Sequence, residues 1–157
     1  MRHTISVLVR NEFGVLSRVA GMFSGRGYNI DSLNVAPTLD AKVSNMTIVT
    51  DGDDETIEQI TKQLHKLIDV IKVTDHTGGT FVDREMAVLR VTPTPENRSE
   101  LLRITEIFRG KVVDVGAKSF AIEVTGRRDK IEALVRLLEP LGLREVIRTG
   151  PLAMARG

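Results

Sequence analysis

One short stretch of this sequence carries residue types that could hold a ligand: Asn11-Glu12-Phe13-Gly14-Val15-Leu16. It lies between a strand-patterned segment and a helix-patterned one. A helix that opens here presents backbone N–H groups without intrahelical acceptors, and a partial positive charge. Gly14 removes the Cβ that would keep a ligand off the backbone. Asn11 offers both a donor and an acceptor. Together they can hold the carboxylate and the ammonium of a small amino acid. The same residues also make an ordinary turn, with Asn for a local hydrogen bond and Gly for backbone freedom. Spacing alone favours that plainer reading.

Elsewhere the chemistry is sparse. His3, His65 and His76 fall on different elements, and all three are expected at the surface. There is no HExxH, no paired-histidine metal spacing and no Gly-x-Ser-x-Gly elbow. Carboxylates such as Asp53, Asp54 and Glu55 fall in a helix first turn, where capping explains them. Asn45-Met46-Thr47 and Asn97-Arg98-Ser99 match the glycosylation pattern by chance. Gly25-Arg26-Gly27 lacks the third glycine of a dinucleotide fingerprint and ends a helix rather than opening one. The sequence contains no cysteine, which excludes disulfides, thiolate zinc sites, iron–sulfur clusters and cysteine nucleophiles. No catalytic set and no metal site is expected.

The elements that must position the Asn11 loop follow from periodicity. Thr4 to Arg10 alternates as a strand, with Ile5, Val7 and Val9 on one face and Thr4, Ser6 and Leu8 on the other. Val15, Leu16, Val19, Ala20, Met22 and Phe23 recur at helical spacing, and Gly25 and Gly27 end that helix. Tyr28 to Ala36 is a second strand whose alternation slips, predicting a bulge near Asp31 and Ser32. Val43 to Thr50 is a third strand. Asp53 and Asp54 cap a helix carrying Ile57, Ile60, Leu64, Leu67 and Ile68, and Val70 to Asp75 is a fourth strand. After the break Thr77-Gly78-Gly79-Thr80 the order recurs. There is a strand over 85–92, a helix opened by Thr94 and Pro95, a hairpin of 111–115 and 119–125, a helix ending before Pro140, and a strand over 143–148. The tail, 150–157, reads as an arm. The fold class is α+β, with two tandem ferredoxin-like β-α-β-β-α-β domains over 1–77 and 78–157.

Composition sets further bounds. Of 157 residues, 22 are Lys or Arg and 21 are Asp or Glu, so there is no cationic field for nucleic acid or anionic membrane. No apolar run approaches the ~20 residues of a membrane span. The N-terminus alternates like a strand and lacks the apolar block of a signal peptide. A soluble, cytoplasmic protein is expected. In this topology strands 2 and 4 are sheet edges. Strand 2 carries Ile30, Leu33 and Val35 and no Lys or Arg. Such an edge is either covered by a loop or paired with a second copy about a two-fold axis. Pairing is expected here, because each half is small: a domain of ~60 residues buries only about 60% of its unfolded surface, against about 70% for one of ~150.

Positions 11 to 38, NEFGVLSRVAGMFSGRGYNIDSLNVAPT, resemble the regulatory (small) subunits of acetolactate synthase, also called acetohydroxyacid synthase, whose N-terminal half is an ACT domain. The resemblance continues through MTIVT (46–50), KQLHKLIDVIKV (62–73), IFRGKVVDV (107–115) and IRTGPLAMARG (147–157), and so covers essentially the whole chain. ACT domains in general carry Asp and Pro where this chain has Asn11 and Phe13; Asn is the usual form in this family.

The resemblance implies a non-catalytic subunit of a transferase complex in branched-chain amino-acid biosynthesis. Such a subunit binds the large catalytic subunit, raises its activity and confers feedback inhibition by valine or another branched-chain amino acid. Thiamine diphosphate, Mg²⁺ and FAD are then expected in the catalytic partner, and no cofactor in this chain. It further implies a homodimer through the ACT domain. The effector site would lie at that interface, with Asn11, Gly14, Val15 and Leu16 of one chain facing Asn29 and Ile30 of the other. Val15, Leu16 and Ile30 would supply apolar walls. Effector sensing is expected in residues 1–77. The alternative is an ACT sensor acting on a different partner. RNA-recognition modules share the topology but need aromatic residues on the central strands, and ISVLV and MTIVT have none.

Overall fold

The structure, a computed structural model, describes all 157 residues. It falls into two compact units, Met1–Val82 with Gly150–Gly157, and Asp83–Thr149. The break thus comes five residues after the expected one. The tail expected to be an arm of the second domain belongs to the first unit.

In the first unit β1 (Arg2–Arg10), α1 (Val15–Gly25), β2 (Ile30–Pro37), β3 (Val43–Asp51), α2 (Asp54–His65) and β4 (Val70–Asp75) follow one another. The sheet order is β2-β3-β1-β4, so β2 and β4 are edges as expected. All pairings are antiparallel, with Arg2 opposite Asp51 and Arg10 opposite Val43. The register of β2 slips between Ile30 and Ser32, where the broken alternation predicted a bulge. Ile5, Val7 and Val9 meet Val15, Val19 and Phe23 of α1 and Ile57, Ile60 and Leu64 of α2 in one core. Asp53 caps α2 by accepting from Thr56 N–H at 2.7 Å.

The opposite face of this sheet is also covered. Thr47 and Val49 of β3 are buried there. The chain after β4 folds back, with Ser6 Oγ 2.6 Å from His76 Nε2 and His76 stacked on Phe81 at 5.5 Å. From the terminal segment, Gly150 O and Pro151 O accept from Asn34 Nδ2 at 3.3 and 3.2 Å. Gly150 sits so close to β2 that a Cβ there would come within 2.5 Å of Ser32 Cβ, and its φ is +76°. A short strand, β9 (Leu152–Ala155), follows, and after it Arg156 N–H donates to Thr80 O at 3.1 Å.

The second unit repeats the topology with β5 (Phe81–Val91), α3 (Arg98–Ile107), β6 (Lys111–Val115), β7 (Phe120–Gly126), α4 (Arg128–Leu138) and β8 (Leu143–Arg148), in sheet order β6-β7-β5-β8. Its core gathers Leu89, Leu101, Ile122, Ile131 and Leu134. Helix α3 opens three residues later than Thr94 and Pro95 predict, with Asn97 at the cap position. Thr94 and Asn97 instead exchange side-chain-to-backbone hydrogen bonds at 2.8 and 3.3 Å and close a turn ahead of it.

Candidate functional site

The loop from Asn11 to Gly14 joins β1 to α1, and Gly14 opens the helix. Its φ of 84° and ψ of −6° place it in the left-handed region, which favours glycine. The helix has no side-chain cap and no acidic residue in its first turn. The amides of Leu16 and Ser17 therefore point out of the helix end with no intrahelical acceptor. Oxygen-rich anions fit such an end.

Asn11 is half committed. Its backbone N–H donates to Lys42 O at 2.8 Å and its Nδ2 to Ala41 O at 2.9 Å. These bonds tie the loop to the β2–β3 turn. Oδ1 keeps its lone pairs, so the side chain can accept from an ammonium. The β2–β3 turn is itself braced: Thr38 Oγ1 donates to Val43 O at 3.0 Å and Asp40 Oδ1 accepts from Lys42 N–H at 2.9 Å.

Arg18 adds a charge that the sequence reading missed. Its Nε and Nη2 donate to Asp69 Oδ2 at 2.9 and 2.7 Å, and Asp69 is buried. Its Nη1 lies 3.1 Å from where a Cβ on Gly14 would stand. A guanidinium N–H and the helix-end amides thus share one corner. The available signal was the four-residue spacing of Gly14 and Arg18, one helical turn.

The apolar residues divide. Val15 points into the core and is 3% exposed, so its side chain is occupied in its own chain. Leu16 is 46% exposed. Ile30 is half-buried against the core, and Asn29 is exposed with its Nδ2 donating to Asp31 Oδ1 at 3.0 Å. Asn29 and Ile30 do not meet the Asn11 loop within one chain. Ile30 pairs with Thr50, and Thr50 with His3, whereas Asn11 follows Arg10 at the other end of β1. The two sets are separated by about 23 Å along the sheet at the usual strand rise.

Two histidines correct the surface expectation: His3 is 4% and His76 6% exposed. His3 shares the parity of Ile5 and Val7 and so turns to the helix side. Its Nδ1 lies 3.1 Å from Asp75 Oδ2, and its Nε2 is buried without a protein partner. His3 and Asp75 line a cavity of about 440 Å³ beside α2. The one hydroxyl in that lining, Thr61 Oγ1, donates to Ile57 O at 2.9 Å, so the pair has no nucleophile to activate. His76 is held below the ordinary histidine value by burial, with Asp75 opposing the shift. No group of three or more His, Asp or Glu side chains is arranged to hold a metal ion. No helix is long and apolar enough to cross a membrane.

The first unit is a ferredoxin-like β-α-β-β-α-β domain whose first helix opens, without a side-chain cap, on a left-handed glycine. The family model described as the AHAS small subunit-like ACT domain matches residues 5–72, and that of the small subunit of acetolactate synthase matches residues 84–157. The acetolactate synthase small subunit of Aquifex aeolicus is 53% identical over 99% of this chain and 81% of its own. That of Mycobacterium leprae is 46% identical over 99% of this chain and 92% of its own. The crystal structure of the acetolactate synthase small subunit from Thermotoga maritima superposes with a TM-score of 0.91 at 42% identity, covering 100% of this chain and 98% of that one. The chain belongs to the acetolactate synthase small-subunit family.

Proposed function

We propose that this chain is the regulatory, non-catalytic subunit of an acetolactate synthase. It binds the large catalytic subunit, raises its activity and makes it sensitive to valine or a related branched-chain amino acid. Thiamine diphosphate, Mg²⁺ and FAD belong in this reading to the large subunit, and the complex works in the cytoplasm. Gly14 is the observation that carries the reading. A left-handed glycine opens an uncapped helix beside a guanidinium N–H, which suits a carboxylate, while Asn11 Oδ1 suits an ammonium.

The strand register supports a dimeric site. Pro37, the last residue of β2, lies opposite Ser44, and Ser44 opposite Val9, so β2 ends level with the Asn11 loop. If two β2 edges pair antiparallel about a two-fold axis, the partner's Asn29 and Ile30 come to that same level. Ile30 and the exposed Leu16 then provide apolar surface for a short branched side chain.

Mixing the purified chain with the large subunit and assaying acetolactate, with and without valine, tests the reading. Activity should rise on mixing and fall with valine. The chain alone should form no acetolactate. A mixture no more active than the large subunit and indifferent to valine, leucine and isoleucine would defeat it.

A further inference from the structure

The second unit contains a cavity that the amino-acid site does not use. It measures about 380 Å³ and lies between the β5–α3 loop, the start of α3 and the β6–β7 turn. Arg98 and Lys118 line it, and no Asp or Glu does. Neither cation has an ion-pair partner; the unit's ion pairs use Arg90, Arg127, Arg128 and Arg148. Arg98 Cζ sits 5.0 Å from the centroid of the Phe120 ring. This cation–π contact steadies the guanidinium without consuming a carboxylate. The turn that carries Lys118 is also held: Gly116 N–H donates to Ser119 O at 2.8 Å, and Arg90 Nη1 to Ser119 Oγ at 3.2 Å.

Two cations without carboxylate partners lining one concave, acid-free surface attract anions. The guanidinium fork matches the paired oxygens of a carboxylate or a phosphate. Pro93, Pro95, Val115 and Phe120 form apolar walls between the charges, which favours a ligand with a compact apolar body. The cavity also occupies the corner of the topology that the Asn11 loop occupies in the first unit: the first strand–helix loop beside the turn joining the second and third strands. The chemistry differs. Here there are two cations, no carboxylate and no Asn–Gly pair, and the two positive charges disfavour an ammonium. We propose that this cavity is a second binding site, for a small organic anion of carboxylate or phosphate type that lacks an amino group.

Titration of the ¹⁵N-labelled full chain tests this, with isobutyrate in one arm and inorganic phosphate in the other. The signals followed are the amides of 116–120 and the Arg98 side chain. Saturable shifts confined to this set are expected with at least one anion; which anion saturates assigns the class. In an Arg98→Gln, Lys118→Ala double variant the affinity should fall at least about tenfold, since two charge-assisted contacts are lost. Lys118→Ala alone is an exposed turn substitution; it should weaken binding severalfold and covers the case in which the Arg98 change disturbs folding. No saturation with either anion up to tens of millimolar would overturn the proposal. So would equal affinity in the unmodified and substituted chains.

Discussion

Asn11 is the residue at which the proposed recognition meets an observed bracing role. Its Nδ2 is spent on Ala41 O, so the donor that the sequence suggested for a carboxylate is engaged, and the acceptor Oδ1 remains. Asn11→Ala should cost about 0.5–1.5 kcal/mol of stability through the lost loop bond. It should also weaken valine binding severalfold by calorimetry. A drop in stability with unchanged valine affinity would make Asn11 a brace alone. His76 gives a second residue-scale test. Burial lowers its folded value below the ordinary 6.5. Above that pH the folded and unfolded chains both hold it neutral, and stability is unaffected. As the pH falls below 6.5, the unfolded chain takes up the proton first and stability declines until the lowered folded value is passed. His76→Gln should flatten this acid-side decline in urea-unfolding midpoints measured at a series of pH values. An unchanged decline would assign it to other groups. The two buried histidines differ in legibility. His3 shares the odd-numbered parity of Ile5 and Val7, so its inward direction was readable. The contact of His76 with Ser6 spans 70 residues, and no local pattern announces it.

At the scale of the element, the order of strands and helices and the bulge in β2 were legible because each follows from local period. Val15, Val19 and Phe23 at four-residue spacing likewise pointed to the core. The fate of residues 150–157 was not legible: a short apolar-and-glycine tail has no period, and its place depends on Asn34 and Ser32 far away in sequence. Gly150→Ala tests that packing. A left-handed backbone and a Cβ 2.5 Å from Ser32 Cβ should together cost about 1–3 kcal/mol, read as a lower urea midpoint for the first unit. An unchanged midpoint would mean that the tail is not held there. For the β2 edge, Leu33 packs against its own core, so a charge there would disturb folding and not only association. Val35 is 40% exposed and is the cleaner probe. Val35→Lys should keep its circular dichroism spectrum yet shift the chain from dimer toward monomer in sedimentation at micromolar concentration, because a lysine blocks edge pairing. A monomeric unmodified chain, or an unaffected dimer, would count against pairing through β2.

For the whole molecule, the legible part was the class of fold and the loop, and the illegible part was which residues a single chain brings together. Asn11 and Gly14 share a loop, but Asn29 and Ile30 stand at the far end of the sheet, so a site uniting them requires two chains. In the proposed function, regulation is a coupling between an amino-acid site in the small subunit and activity in the large one. Couplings of this kind are typically about 1–3 kcal/mol. Losing effector affinity is therefore enough to erase feedback while activation survives. Gly14→Asp is the sharpest lesion. It adds a Cβ beside Arg18 in a left-handed backbone and brings a negative charge to the place proposed for the ligand's carboxylate. Gly14→Asn, similar in shape but uncharged, controls for strain. The most direct measurement is valine titration of acetolactate formation by the large subunit reconstituted with each chain, once folding has been verified. Gly14→Asp should activate the large subunit normally and require at least about tenfold more valine for half-inhibition, with Gly14→Asn less affected. A folded Gly14→Asp chain that activates normally and is inhibited at the unmodified valine concentration would contradict the assignment of the effector site to this loop.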